Sequence, residues 1–364
     1  MKYDNQLRYA GNIISAYDGS VPLSGWLNQF FREHPQMGST DRRTVSSLVY
    51  GYYRFGQSQF PSTDHKILAA AAVMNTVPGF TEYFATQPED IDFSQVFPWQ
   101  NLLSKEIDAK AFTASFLVQP DVFLRIRPGK RDVVLGKLKN AGVAYEETGS
   151  DCIAVVARTR VDELLELDRE VIVQDRSSQE TGKYLLKIAP GAIWDCCAGS
   201  GGKSIMAYDL LDHPMLLVSD LRPSILINLK KRFSAAGISD YRSFVTDLTK
   251  DNDNLPDRQL SLIIADLPCT GSGTWSRTPE QLFYFDPVRL PHYIGLQRKI
   301  ISRLLSFSGS RTPILYITCS VFAAENEEMA EFIKVNSKLK LQAMELIKGY
   351  NVKADTMFAA LFIP

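Results

Sequence analysis

The sequence has few cysteines, few histidines, no excess of either charge and no long apolar run. Its five cysteines, Cys152, Cys196, Cys197, Cys269 and Cys319, are an odd number at irregular spacing, and no two form a C-x-x-C pair. That excludes a disulfide framework of the kind that staples small secreted domains. The four histidines, His34, His65, His213 and His292, stand at no ligand spacing from a cysteine, so no metal site is expected. Forty Lys and Arg against 41 Asp and Glu leave a net charge of -1, without the global basic signature of a non-specific nucleic-acid binder. Any nucleic-acid contact has to be local. No apolar run approaches the ~20 residues that span a bilayer, and the N-terminal stretch MKYDNQLRYAGNIISAYDG has no apolar signal core. These absences predict a soluble cytoplasmic protein with no membrane partner. Nothing in them asks for more than a monomer.

What is present falls into three parts. Residues 1–117 read as a helical domain. Its clearest segment is STDRRTVSSLVYGYYRFG, where Val45, Leu48, Val49, Tyr52 and Tyr53 recur at helical spacing behind a Ser39/Thr40 cap and Gly56 closes the run. The polar, proline-broken QPEDIDFSQVFPWQN reads as a connection. Residues 118–170 read as a small α+β (RRM-like) module: DVFLRIRP as a strand, GKRDVVLGKLKNAG as a helix closed by Gly142, AYEET and CIAVVA as strands, RVDELLEL as a helix. Arg125, Arg127, Lys130 and Arg131 cluster on its first strand and turn. A solvated charged face and a phosphate-contacting patch both fit that cluster.

Residues 171–364 alternate apolar strands with helices, which predicts an α/β fold with a doubly wound, Rossmann-like, mostly parallel sheet. Ligands in such sheets bind beyond the carboxyl ends of the strands. The residues expected at those ends are Asp195-Cys196-Cys197-Ala198-Gly199-Ser200-Gly201-Gly202-Lys203, then Asp220, Asp247, Asp266-Leu267-Pro268-Cys269 and Thr318-Cys319-Ser320. A glycine loop lets a ligand approach the backbone, and the next helix start favours an electronegative group. Asp220 follows about 20 residues later, where a carboxylate can accept from both hydroxyls of a ribose. GGKS imitates the end of a P-loop, but Cys197 occupies the position of the required first glycine. The dinucleotide pattern starting at Gly199 meets Ser204 where its third glycine should stand. S-adenosylmethionine, with one ribose and no phosphates, fits the loop best.

The segments VQDRSSQETG, DCCAGSGGKS, DLPCTGSGTWSRTPE and YITCSVFAAENEE resemble the Sun (NOL1/NOP2/Sun) family of RNA cytosine-C5 methyltransferases. The layout is most similar to the bacterial small-subunit ribosomal RNA enzymes that carry a helical N-terminal domain, which DRRTVSSLVYGYYR also resembles. The paired P-C and T-C-S motifs are the specific signal. Three positions depart from the family pattern: Ser200 replaces a usual proline, Leu267 replaces the first proline of D-P-P-C, and KADTMFAALF lacks the glycine of D-G-F-F.

The resemblance implies a chemistry that needs these residue types. Carbon 5 of cytosine is a poor nucleophile, so a thiolate must first add to carbon 6, and cysteine is the suited attacker. A neighbouring acid then stabilises charge on the ring. The resemblance implies Cys319 as nucleophile, Asp266 on the cytosine edge and Cys269 in product release. It further implies that Cys197 to Lys203 line S-adenosylmethionine, with Asp220 at its ribose, Asp247 near its adenine and Asp266 beside it. It implies a phosphate or cofactor contact for Arg277. Lys203 reads equally as a cation near the site or a solvated lysine at a helix start. Cys152 and Cys196 read as core residues, and the acidic run Glu325 to Glu328 as a favourable charge at a helix start.

RNA, ribosomal RNA foremost, is the expected partner because the target base must be unstacked. Arg42, Arg43, Arg54 and the Arg125 to Arg131 cluster are the candidates for guiding it. Transfer RNA as substrate, and a non-catalytic RNA-binding assembly factor on the same fold, are the alternative readings. Uracil or DNA methylation is disfavoured, because the DNA enzymes attack from the P-C motif and lack T-C-S.

Overall fold

The computed structural model describes residues 3–86, 92–189, 191–251, 255–308 and 311–364. They group into two compact units. One comprises residues 1–103, 108–119 and 274–289; the other comprises 104–107, 120–273 and 290–364. The reading of QPEDI, residues 87–91, as a connection lies outside the described residues.

The first unit is helical: Asp4–Ala16, Leu23–Glu33, Ser39–Arg54 and Thr63–Met74 are its main elements. The helix Ser39–Arg54 buries Val45, Leu48, Val49 and Tyr53, the face its spacing predicts. Its start differs from expectation, because Gly38 holds the cap position and no side chain caps the helix. Arg54, expected to guide RNA, is buried. Its guanidinium donates to the carbonyls of Phe116 at 2.8 Å and Val118 at 3.3 Å, and to Gln119 Oε1 at 2.7 Å. It ties the end of one helix to the chain leaving the helix Ala109–Ser115, and so serves the fold. Residues 274–289, which the sequence places amid catalytic motifs, pack in this unit, where Glu280 accepts from the Leu23 N–H at 3.1 Å.

The second unit holds two sheets. Strands β1 (Val122–Ile126), β2 (Tyr145–Glu147), β3 (Cys152–Val155) and β4 (Val171–Val173) form an antiparallel sheet in the order β2-β3-β1-β4. Leu124, Ile126, Ile153 and Val155 pack on Val134 and Leu138 of the helix Arg131–Asn140. Cys152 lies on the opposite face with Phe123, Ala154 and Ala354, a core residue as expected. β4 completes this sheet just past residue 170. Its three residues are too short a run to announce themselves.

The larger sheet comprises β5 (Ile193–Asp195), β6 (Leu216–Asp220), β7 (Tyr241–Val245), β8 (Leu262–Asp266), β9 (Ile314–Thr318), β10 (Lys340–Ile347) and β11 (Met357–Ile363), in the order β10-β11-β9-β8-β5-β6-β7. β5 to β9 are parallel, and every residue of β5, β6 and β9 is buried, as a sheet covered on both faces requires. Trp194 in β5 is fully buried and donates its indole N–H to Ser219 Oγ at 3.0 Å. β10 and β11 add an antiparallel edge, so the sheet is mixed. The chain order reverses between β5 and β8, and the crevice at their carboxyl ends is the expected ligand position. Among the described residues no helix is long and apolar enough to cross a membrane.

Candidate active site

Two loops leave the switch point. The first, after β5, runs from Cys196 to the helix Gly202–Leu210. Gly199 and Gly201 both have positive φ, 52° and 86°. A Cβ on Gly201 would come within 2.7 Å of Phe233, so the turn lies close against the helix Pro223–Ala236. Asp220, buried at the end of β6, accepts the Gly199 N–H at 3.0 Å and the Arg222 N–H at 2.9 Å. The glycine loop and the strand-end acid are thus directly bonded. Thr249 donates N–H and O–H to Asp247 at 3.0 and 2.6 Å, and these bonds hold the Asp247 carboxyl below its usual range. Asp247 stands beyond β7, beside the Asp220 strand.

Ser200 has a physical answer to its departure from the family's proline. Arg232 donates to Ser200 Oγ at 2.9 Å and to its carbonyl at 3.1 Å, while its other nitrogens grip Asp168. A hydroxyl therefore fixes the turn that a ring would otherwise stiffen. Leu267 has a similar answer: its N–H donates to the Ile317 carbonyl at 3.1 Å. Proline could not donate that bond.

The second loop, 267–273, carries Cys269, and the adjacent β9 delivers Cys319. β8 and β9 pair in parallel from Ile263/Ile314 to Asp266/Ile317. That register brings Cys269 Sγ to 3.3 Å from Cys319 Sγ. The T-G-S-G tract explains itself here. Gly273 donates its N–H to the Cys319 carbonyl at 2.9 Å and accepts from the Thr356 N–H at 2.9 Å. A Cβ at Gly273 would stand 1.9 Å from the Thr356 carbonyl oxygen, so no other residue fits between the cysteine loop and the approach to β11.

Lys203 reaches the same place. It donates to Asp266 Oδ2 at 2.7 Å and to Ser178 Oγ, in the VQDRSSQETG segment, at 3.3 Å. Burial works against its ammonium, but Asp266 and the nearby Cys319 more than offset this and raise its pKa above the usual lysine value. Lys203 is therefore a charged group of the site and not a solvated lysine at a helix start. The hydrogen bond with Cys319, then burial, push the Cys269 thiol well above the ordinary thiol range, and the Glu325 charge adds to this. Asp195, which the sequence placed at a strand end without a role, is fully buried. Burial pushes its carboxyl up to about 7 while Ser204 donates to it at 2.6 Å. Cys196 is buried, as expected of a core residue, and Cys197 is half-buried.

Arg125 and Arg127 are not a phosphate-contacting patch. Arg125 is buried, and both guanidiniums bind Asp209, at 2.7 and 2.6 Å, on the helix that follows the glycine loop. Arg125 also donates to Gln174 and Arg127 to the Ala236 carbonyl. The cluster reads as basic in sequence because Asp209 lies more than 80 positions away. Arg131 pairs with Glu147 and the Ser150 carbonyl. Lys130 is half-buried at the start of its helix. Arg277 belongs to the helical unit, in a turn where its N–H donates to the Thr274 carbonyl at 2.8 Å.

Sequence reasoning missed Glu325. It is fully buried beneath the two cysteine loops, whereas Glu327 and Glu328 do occupy the first turn of the helix Glu327–Val335. The signal was its place in a short apolar stretch, VFAAE, six residues after Cys319.

The family model described as 16S rRNA methyltransferase RsmB/F matches residues 184–364. At 23% identity over 239 residues, the chain is similar to the probable ribosomal RNA small subunit methyltransferase B of Bacillus subtilis (strain 168). That match takes in 63% of this chain and 54% of the relative, so the chain spans little more than half the relative's length. The ribosomal RNA small subunit methyltransferase B of Enterobacter sp. (strain 638) is 22% identical over 357 residues, covering 89% of this chain and 81% of its own. The crystal structure of PH0851 shares the fold, with a TM-score of 0.74 at 17% identity over 99% of this chain and 98% of that one. Through residues 184–364, which include the glycine loop and both cysteine loops, the chain belongs to the RsmB/F methyltransferase family.

Proposed function

We propose that this chain transfers a methyl group from S-adenosylmethionine to carbon 5 of a cytosine in RNA, with small-subunit ribosomal RNA as the substrate. The observation that carries this reading is the 3.3 Å approach of Cys269 and Cys319 at the carboxyl ends of adjacent parallel strands. Two free thiols there, beside an ion pair and a glycine loop, suit thiolate addition to a ring followed by methyl transfer.

The first loop suits the cofactor. A Cβ added at Gly199 or Gly202 would meet no atom within 4 Å, so the loop borders open space. The buried Asp220 carboxylate stands beside it as an acceptor for ribose hydroxyls. The backbone from Cys197 to Lys203, with Asp220 and Asp247, would hold the nucleoside, and S-adenosylmethionine supplies an electrophilic methyl when bound.

The remaining chemistry belongs to the chain. Lys203, paired with Asp266 at the end of β8, supplies a positive charge to the site. Cys319 Sγ bonds to carbon 6, and the electron pair of the ring double bond moves to carbon 5. Asp266, about a third exposed at the rim, accepts from the amino group on the base edge, and the Lys203 ammonium paired with it offsets the negative charge that develops on the ring. Once carbon 5 has taken the methyl group, a solvent base takes its proton, the C–H electron pair reforms the ring double bond, and the sulfur–carbon bond breaks with its electron pair returning to Cys319 as the thiolate. Cys269, in contact with the departing sulfur, assists that release.

A methyl-transfer assay on ribosomal RNA and on transfer RNA, with mapping of the modified base, tests the reading. Cys319→Ala is expected to give no product. Cys269→Ala is expected to give a covalent RNA adduct that shifts on denaturing gels. An adduct from Cys319→Ala and not from Cys269→Ala would reverse the roles, and RNA binding with no methylation by the unaltered chain would leave an assembly factor.

A further inference from the structure

Glu325 lies in the turn Ala323–Glu325 with no exposed surface. Its Oε1 accepts from the Thr270 N–H at 3.0 Å and from Gln297 Nε2 at 3.1 Å; its Oε2 accepts from Thr270 Oγ1 at 2.6 Å and Ser320 Oγ at 2.5 Å. Thr270 follows Cys269, and Ser320 follows Cys319. One carboxylate therefore grips the residue next to each thiol. Gln297 also donates to the Pro268 carbonyl at 3.0 Å, and Tyr316 donates to the Glu325 carbonyl at 2.6 Å. Ser272 closes the network, within 3.2 Å of Ser320 Oγ and accepting from the Val321 N–H.

Four donors meet the carboxylate and none is a cation. Burying a charge without a counter-ion is costly, and an apolar group of similar shape would hold two loops together with less penalty. The charge itself has a use at this point. Thr270, next to Cys269, gives Glu325 both its N–H and its hydroxyl, whereas Ser320, next to Cys319, gives only its hydroxyl, and Lys203 pairs with Asp266 at the end of β8, beside the strand that delivers Cys319. Burial pushes the Glu325 carboxyl above its ordinary range while the hydrogen bonds from Ser320, Thr270 and Gln297 work against that, so any charge it carries is held by these donors alone.

We propose that Glu325 is the positioning residue that sets the separation of the two thiols and assigns their roles, so that Cys319 attacks and Cys269 does not. The proposal rests on the methylation reading for the roles it assigns. The geometry points to Glu325→Gln as a clean probe. The amide oxygen can take the place of Oε1 before the two N–H donors, and its NH2 can donate to the Thr270 and Ser320 hydroxyls, which rotate to accept. Shape is kept and charge is removed.

The test measures iodoacetamide alkylation of Cys269 and Cys319 against pH in the full-length chain by peptide mass spectrometry, alongside kcat and KM for RNA. For Glu325→Gln the Cys269 midpoint is expected to fall, because one of the charges that holds it up is removed. The expected kinetic change is a loss of about tenfold in kcat with KM for RNA little changed. Glu325→Asp keeps the charge but shortens the reach. It should retain the Cys269 midpoint and lose kcat, which provides the measurement if the glutamine variant does not fold. Unshifted Cys269 alkylation in a folded Glu325→Gln, or full kcat in Glu325→Asp, would overturn the proposal. If the unaltered chain methylates no RNA while the Cys269 midpoint still falls, the methylation reading fails and the charge asymmetry stands.

Discussion

The helical unit and the catalytic unit both bury cations, and they use them differently. In the helical unit, Lys66 donates to the Gly56 carbonyl at 2.7 Å and its ammonium lies 4.6 and 4.9 Å from the ring centres of Tyr52 and Phe283. Burial lowers its pKa to about 7, and it lowers that of the carbonyl-bound Arg54 to about 10. In the catalytic unit, Lys203 meets a carboxylate and its pKa rises. A main-chain carbonyl satisfies a donor but does not hold its charge. A carboxylate holds the charge in place, here between the helix that follows the glycine loop and the end of β8.

Asp209→Ala tests the contrast hardest, because Arg125 and Arg127 are cations of the catalytic unit with a purely structural partner. Two guanidiniums would be left without their carboxylate, at a cost of about 3–5 kcal/mol, read by chemical denaturation. A loss under 1 kcal/mol would show that the pair contributes little to the fold. Lys203→Met should act on rate: a fall in kcat of about 100-fold with KM for RNA little changed. Unaltered kcat would place Lys203 with the structural cations.

Gly273→Ala probes the contact that locks the Cys319 carbonyl, and a loss of about 1–3 kcal/mol in stability is expected, together with slower methylation. The smallest effect belongs to Lys66. Its folded pKa lies below the unfolded value, so the unfolded chain binds more protons between about pH 7 and the ordinary lysine value of 10.5. Stability should therefore rise with pH through that window. Lys66→Met should flatten the rise between pH 7 and 9 in thermal unfolding, before the tyrosines titrate, and an identical slope in both proteins would remove Lys66 as its source.

The parallel strands were legible because burial on both faces is written in local composition, as in LLVSD and LIIAD. The residues just past them, from Cys197 to Lys203 and at Asp220, Cys269 and Cys319, were legible because a sheet of this class presents its loops at one edge. β11 was not read as a strand because MFAALFI follows no helix to mark a parallel unit and pairs antiparallel with β9 and β10. The Arg125 to Arg131 cluster looked like a surface because local charge says nothing about a partner far along the chain.

The sequence by itself determined the alternation of parallel strands and helices, the glycine loop after the first of those strands and the two thiols at strand ends, since each depends on residues close together in the chain. Only the tertiary structure decided that Cys269 and Cys319 touch, that Asp209 gathers two arginines, and that Glu325 holds both cysteine loops. Those outcomes depend on strand register and on packing between distant segments. No local pattern carries that information, because burial and pairing belong to the folded chain.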